Sequence, residues 1–204
     1  MKKELKTEKT KEKIRSAALE EFGKNGYEGA TVNRICSDNH ISKGLIYHNF
    51  ENKDALYLHC VDYTIRSFVG YMSEHGVTDD LHQYISVRFR FFSENPYLSR
   101  IFFEAALQPP DHLADAIKPL RQELDEYNTN VYLAALKKMK LRPGVTEKEA
   151  IEYYNILQGT FNRYFGSPAY QGAPFSDIIS EHEAKLGRIL DFMLYGIAKE
   201  DENQ

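Results

Sequence analysis

The sequence predicts an all-α protein in two parts: an N-terminal three-helix head that carries a helix-turn-helix, and a larger helical bundle behind it. Three observations lead there. Apolar residues recur at a period of 3.6 along nearly the whole chain, and alternating strand-like runs are scarce. Proline, glycine and capping residues punctuate that pattern at helix-length intervals. Two short periodic segments near the N-terminus are separated by only a few residues, the scale of a helix-turn-helix. The 204 residues are 42% hydrophobic and 27% charged, enough apolar surface for a proper core and too much for a disordered chain.

The elements follow in order. In TKEKIRSAALEEFGKNGYEG (10–29), Ile14, Ala17, Ala18 and Phe22 share one face, and Gly26 is placed to end the helix in the left-handed region. Thr31 stands where an N-cap belongs, ahead of Val32, Ile35 and Cys36. The second helix reaches Asp38, a turn spans 39–41, and a short helix starts at Ser42. Asn52 is placed to cap a long helix over 53–75, with Leu56, Cys60, Tyr63, Phe68 and Met72 inward. Five more helices are expected near 79–94, 96–107, 112–140, 146–166 and 176–198. Pro119 should kink the third of these or delay its start.

Charge divides the chain. Residues 1–60 hold 11 Lys and Arg against 9 Asp and Glu; the rest holds 15 against 21. A mildly basic end on an acidic body places any polyanion at the N-terminal end, although a lysine-rich start also suits a solvated tail. Cys36 and Cys60 lack metal-ligand spacing and fall on apolar helical faces, which suggests reduced core cysteines. No signal-peptide core and no run of 18 apolar residues occurs, so a cytoplasmic protein without a membrane span is expected.

The stretch HISKGLIYHNF (40–50) holds the functional signal. As the second helix of a helix-turn-helix it would lie in the DNA major groove, first turn nearest the base edges. Gly44 weakens the helix by about 1 kcal/mol relative to Ala, a cost that suits close approach to another surface. Lys43 can reach guanine or a phosphate, and Tyr47 and His48 can donate to flanking phosphates. Lys53 is a cation at a helix N-terminus, which a bound phosphate would offset; Thr31 offers the same arrangement one helix earlier.

TVNRICSDNHISKGLIYHNFENKDAL (31–56) resembles the DNA-binding motif of the TetR family of transcriptional regulators, through Thr31, Ile35, Ile41, Ser42, Lys43, Gly44, Tyr47, Phe50, Lys53 and Leu56. The resemblance covers about residues 8–60. It implies a homodimeric, ligand-responsive repressor: a DNA-binding domain over 1–60 and a ligand-binding, dimerising domain over 61–204. The expected DNA-facing set is Thr31, Asn33, Ser42, Lys43, Gly44, Tyr47, His48 and Lys53. The turn Asp38–Asn39–His40 departs from the family's small residues and glycine, but Asn and His tolerate positive φ. Asn49 stands where an aromatic is common and Cys36 where alanine is.

The body is rich in rings at helical spacing. Most such stripes are core, but this one has more rings than one helix face needs, as a small-molecule cavity would. Family resemblance places an effector site here, with Phe89, Phe92, Phe102, Phe103, Tyr127, Tyr154 and Phe161 as its candidates. Arg88, Arg90, Arg100 and Arg163 could meet an anion or simply face solvent. The last two helices carry the dimer candidates Ile156, Leu186, Ile189, Leu190 and Met193, with Ile197 beyond them, suited to a four-helix interface. No phosphate-binding glycine loop, nucleophile elbow or zinc-protease motif occurs, so neither an enzyme nor a metal or cofactor is expected. The rival, an all-α small-molecule carrier or hydrolase, leaves SKGLIYHNFENK unexplained.

Overall fold

The computed structural model describes the backbone of residues 2–170 and 172–195, and side chains from residue 8 onward. Ile197 and the end of the last expected helix lie outside these residues, as do the first seven side chains. The described residues form helices and no strand. The head comprises α1 (Lys2–Gly29), α2 (Val32–Asn39) and α3 (Lys43–Asn49). α4 (Lys53–Glu74) leaves the head and enters the body. There α5 (Leu81–Glu94), α6 (Pro96–Leu107), α7 (Ala114–Leu120), α8 (Gln122–Leu136), α9 (Glu147–Phe165) and α10 (Phe175–Tyr195) pack around it.

The expected caps form. Thr31 Oγ1 accepts from the Arg34 N–H, Ser42 Oγ from Leu45 and Asn52 Oδ1 from Ala55. Each such cap contributes about 1 kcal/mol. Two unforeseen caps start body helices: Asp80 at α5, and a reciprocal Thr146–Glu149 capping box at α9. Gly26 does adopt the left-handed region, at φ 67° and ψ 177°, but it breaks α1 instead of ending it. One further turn follows before Gly29. His40 closes α2 at φ 50° and ψ 48°, so the turn survives without glycine.

The segment expected as one helix over 112–140 is three pieces. A 3-10 turn at Asp111–Leu113 precedes α7, and Arg121 separates α7 from α8. Pro119 is the cause: it lacks an N–H and its ring crowds the carbonyl four residues back. α8 stops at Leu136, short of residue 140, in turns that pair Lys138 with Ala135 and Met139 with Leu136.

α4 is the central post of the molecule. Leu56, Tyr57, Cys60, Val61, Phe68 and Met72 along its length are wholly buried. The head does not hang from α4 alone, however. α1 lies directly along α6: a Cβ added at Gly23 would fall 2.4 Å from Tyr97 Cβ and 2.6 Å from its Cα. Only a glycine allows the two helices this separation. Gly23→Ala is therefore expected to destabilise the protein by about 1–3 kcal/mol in urea unfolding. Gly70→Ala, where a Cβ meets nothing within 4 Å, should leave stability unchanged or raise it by up to about 1 kcal/mol.

Candidate DNA-binding face and effector cavity

α3 is anchored by Ile46 and Phe50, both buried, with Ile41 beneath the turn. Its other side is bare. Ser42, Lys43, Gly44, Tyr47 and His48 are all exposed, and a Cβ at Gly44 would meet nothing. Lys43 Nζ stands 6.0 Å from the Tyr47 ring centroid. Thr31 and Asn33 are exposed on α2. Leu45, not anticipated in the sequence, is 37% exposed in the first turn of α3, where an apolar side chain can meet a thymine methyl. Asn49 turns inward to its own helix, its Nδ2 donating to the Leu45 carbonyl at 2.8 Å.

Lys53 differs from expectation. Its ammonium donates to the carbonyls of Tyr27 (2.7 Å) and Ala30 (3.2 Å) and lies 4.0 Å from the Tyr27 ring centroid. The electronegative end of α1 thus offsets the cation at the start of α4, with no phosphate required. Tyr27 is the centre of this junction. Its hydroxyl donates to Asp54, and His112 Nε2 lies 3.1 Å from the same oxygen. Burial and the Asp54 carboxylate together push the phenol up. Glu21, 6% exposed, ties α2 to α1 by accepting from the Thr31 N–H (2.9 Å) and Arg34 Nε (2.7 Å). These long-range bonds carry no local sequence signal.

The body holds an interior cavity of about 50 Å³ among α5, α6, α8, α9 and α10, little more than a water's share of liquid volume, about 30 Å³. Phe102, Phe103, Tyr154 and Phe161, four of the effector candidates, line it. Phe92 does not: it is packed among Phe68, Phe91, Phe102 and Phe103. Tyr127 donates instead to the Val77 carbonyl at 2.8 Å. Phe89 is 63% exposed, because Tyr84, Val87, Arg88, Phe91 and Phe92 take the inner face of α5. It borders a separate surface groove of about 760 Å³ between α5, α8 and α10.

Arg88 is buried, against the solvent-facing alternative. Its Nε and Nη2 pair with Glu183 at 2.9–3.0 Å, and its guanidinium carbon lies 4.8 Å from the Phe92 ring centroid. His182 Nδ1 donates to Glu183 Oε1 at 3.0 Å, with its ring against Phe103, Phe161 and Phe165. Tyr84 donates to Asn128 at 2.9 Å. This pairing leaves Arg88 committed within the protein. Arg121, Asp125, Gln158 and Asn162 line both the cavity and an outer groove between α8 and α9. Arg121 Nε is one of three buried side-chain nitrogens among the described residues without a hydrogen-bond partner, with His59 Nε2 and Arg100 Nε.

The dimer candidates divide. Ile156 is 55% exposed on α9, beside Tyr153 and Tyr164, and Phe192 and Tyr195 are exposed on α10. Leu186, Ile189 and Met193 are half-buried against the protomer core. Leu190 is a correction: only 6% exposed, it packs with Tyr132, Leu136 and Tyr154 inside the protomer.

The fold and head define an all-α helix-turn-helix protein, and comparison with known proteins shows what its head and its fold are similar to. Residues 14–60 match the family described as bacterial regulatory proteins, tetR family. The biofilm operon icaADBC negative transcriptional regulator IcaR of Staphylococcus epidermidis is 25% identical over 131 residues, 62% of this chain and 68% of IcaR. The Escherichia coli transcriptional regulator UidR is 43% identical over 47 residues, 23% of this chain and 24% of its own length. In fold, the chain is similar to the Bacillus subtilis transcriptional regulator FadR, solved with stearoyl-CoA: TM-score 0.63 at 16% identity, covering 91% of this chain and 98% of that one. Residues 14–60 thus carry the DNA-binding motif of tetR-family regulators, on a chain whose overall fold is similar to that of FadR. No helix among the described residues is long and apolar enough to cross a membrane.

The buried network makes the body acid-sensitive. Burial holds the His182 imidazole below its usual 6.5 despite Glu183, and Glu183 lies below the usual carboxylate range because Arg88 and His182 outweigh its burial. Both depressed groups contribute stability that is present above their unfolded pKa values, about 6.5 and 4.5, and lost as pH falls through the folded ones. Glu104, pushed up by burial, opposes this in part. The melting temperature should therefore fall on acidification from about pH 7 to 5, and fall less in His182→Gln. Parallel profiles for the two proteins would contradict this.

Proposed function

We propose that this protein is a homodimeric transcriptional repressor that holds duplex operator DNA through α3 and releases it when a small, largely apolar molecule enters the body. The observation that carries this reading is the uncovered face of α3. Five exposed residues, four of them with side-chain donors and one a glycine with open space above it, stand on a helix fixed from below by Ile46 and Phe50. Residues 1–60 form the DNA-binding part and residues 61–204 the sensing and dimerising part. The IcaR name, a negative regulator, favours repression, and a DNA target places the protein in the cytoplasm. The carrier or hydrolase alternative gives the α3 face no purpose.

The effector reading rests on the ring-lined cavity and its outlet past Arg121. At about 50 Å³ the cavity has little room beyond a water molecule, so a ligand must part the rings to enter. Such a ligand binds a second conformation better than this one, and a tenfold loss of operator affinity requires only about 1.4 kcal/mol of differential binding. FadR's stearoyl-CoA makes apolar-tailed compounds the first to screen by thermal shift.

Two outcomes test the proposal. Tyr47→Phe and His48→Ala should weaken binding on all duplexes and flatten its salt dependence by roughly one phosphate contact each, while Lys43→Ala and Leu45→Ala should alter the sequence selected from a random duplex library. Wild-type behaviour from all four would remove α3 as the reading helix. For the dimer, Ile156→Glu places a charge on an exposed position and should yield folded monomers in analytical ultracentrifugation; a fully dimeric variant would remove α9 from the interface.

A further inference from the structure

We infer that Glu104 is the positioning residue that sets the head on the body and conveys the state of the ring-lined cavity to α1. The inference rests on the regulatory reading above but concerns a contact that reading does not use. At Gly26 the helical path of α1 is broken, so the Tyr27 N–H has no carbonyl four residues back to receive it. Glu104, from the last turn of α6, fills that place: its Oε1 and Oε2 accept from the Tyr27 N–H at 3.0 and 3.1 Å. Oε2 also accepts from Tyr57 Oη on α4, at 2.8 Å. One buried carboxylate therefore joins α1, α4 and α6. Its fit is tight. A Cβ at Gly26 would lie 2.7 Å from Glu104 Oε1 and 2.9 Å from Arg100 Nη2, so the break, the glycine and the carboxylate require one another.

α6 has two working sides. Phe102, Phe103 and Ala106 line the cavity; Tyr97, Arg100 and Glu104 meet α1. A group that parts the rings presses on α6, and α6 grips the head at Tyr27, the residue that also fixes Lys53 and Asp54 at the start of α4. Displacement of α6 thus reaches the head directly through α1, as well as through the α4 lever.

The test needs no effector. Ala106→Ile adds bulk to the cavity wall from α6 as a built-in occupant. Affinity is measured for a duplex selected from a random library by the wild-type protein, in a cycle with Glu104→Ala, each variant first shown folded by circular dichroism. In the wild-type background Ala106→Ile should weaken binding about tenfold; with Glu104→Ala, less than about twofold, a coupling such cycles resolve. Glu104→Gln, which keeps an acceptor for the Tyr27 N–H, should restore most of the response; if Glu104→Ala does not fold, Glu104→Leu, which keeps the bulk without an acceptor, takes its place in the cycle. Equal weakening in all backgrounds, or no weakening in any, overturns the inference. Failure of the wild-type protein to enrich any duplex would instead overturn the DNA-binding reading.

Discussion

A buried carboxylate holding a broken helix end is the contact on which the arrangement of this molecule depends. Gly26 takes α1 out of helical geometry and leaves the Tyr27 N–H without an intrahelical partner. An unsatisfied buried N–H costs about 1–3 kcal/mol, and Glu104 meets that need from another helix, with Tyr57 satisfying the carboxylate's second oxygen. Burial alone would favour the neutral acid and does push the group up; the two donors and Arg100 work against it. The chain after the break is then tied to α4 through Lys53 and Asp54. Head orientation is therefore set by hydrogen bonds from α1 to α4 and α6.

The body follows a different rule. Its rings are packed edge to face and stacked around Phe68, Phe92, Phe102 and Phe103, with Arg88 and Glu183 enclosed among them. Removing one partner of such a pair strands a charge in apolar surroundings, which rigidifies this side of the cavity. The side near Arg121, Gln158 and Asn162 is polar and opens outward. The small ring-lined cavity thus lies between the enclosed Arg88–Glu183 pair and a polar side shared with the outer groove.

Much of this was legible in the sequence, for local reasons. Thr31, Ser42 and Asn52 were identifiable as caps because capping chemistry acts within three residues. The inward face of α1, the left-handed Gly26 and the outward face of α3 came from periodicity and backbone preference, which are equally local. Pro119 announced a disturbance, but not that the helix would divide at Arg121. What could not be read was long-range. Lys53 resembled a phosphate ligand because its partners, the Tyr27 and Ala30 carbonyls, lie more than twenty residues away. Leu190 resembled an interface residue because an apolar stripe does not say which protein surface it meets. Arg88 could be read only as an anion contact or a solvent-facing cation because Glu183, its partner, lies 95 positions away. Glu104 had no sequence signal: a single acid in the apolar helix IFFEAAL reads as a solvent-facing residue.

Glu104 should hold the Tyr27 amide as firmly as a core helix carbonyl holds its own amide. Residue-resolved hydrogen exchange of the intact protein measures this directly. The structure predicts that the Tyr27 N–H exchanges as slowly as amides in the buried middle of α4, and that Glu104→Ala accelerates it selectively while amides of α10 keep their protection. A Tyr27 amide that exchanges at the rate of an exposed helix end in the wild-type protein, or one unaffected by loss of the carboxylate, would contradict it.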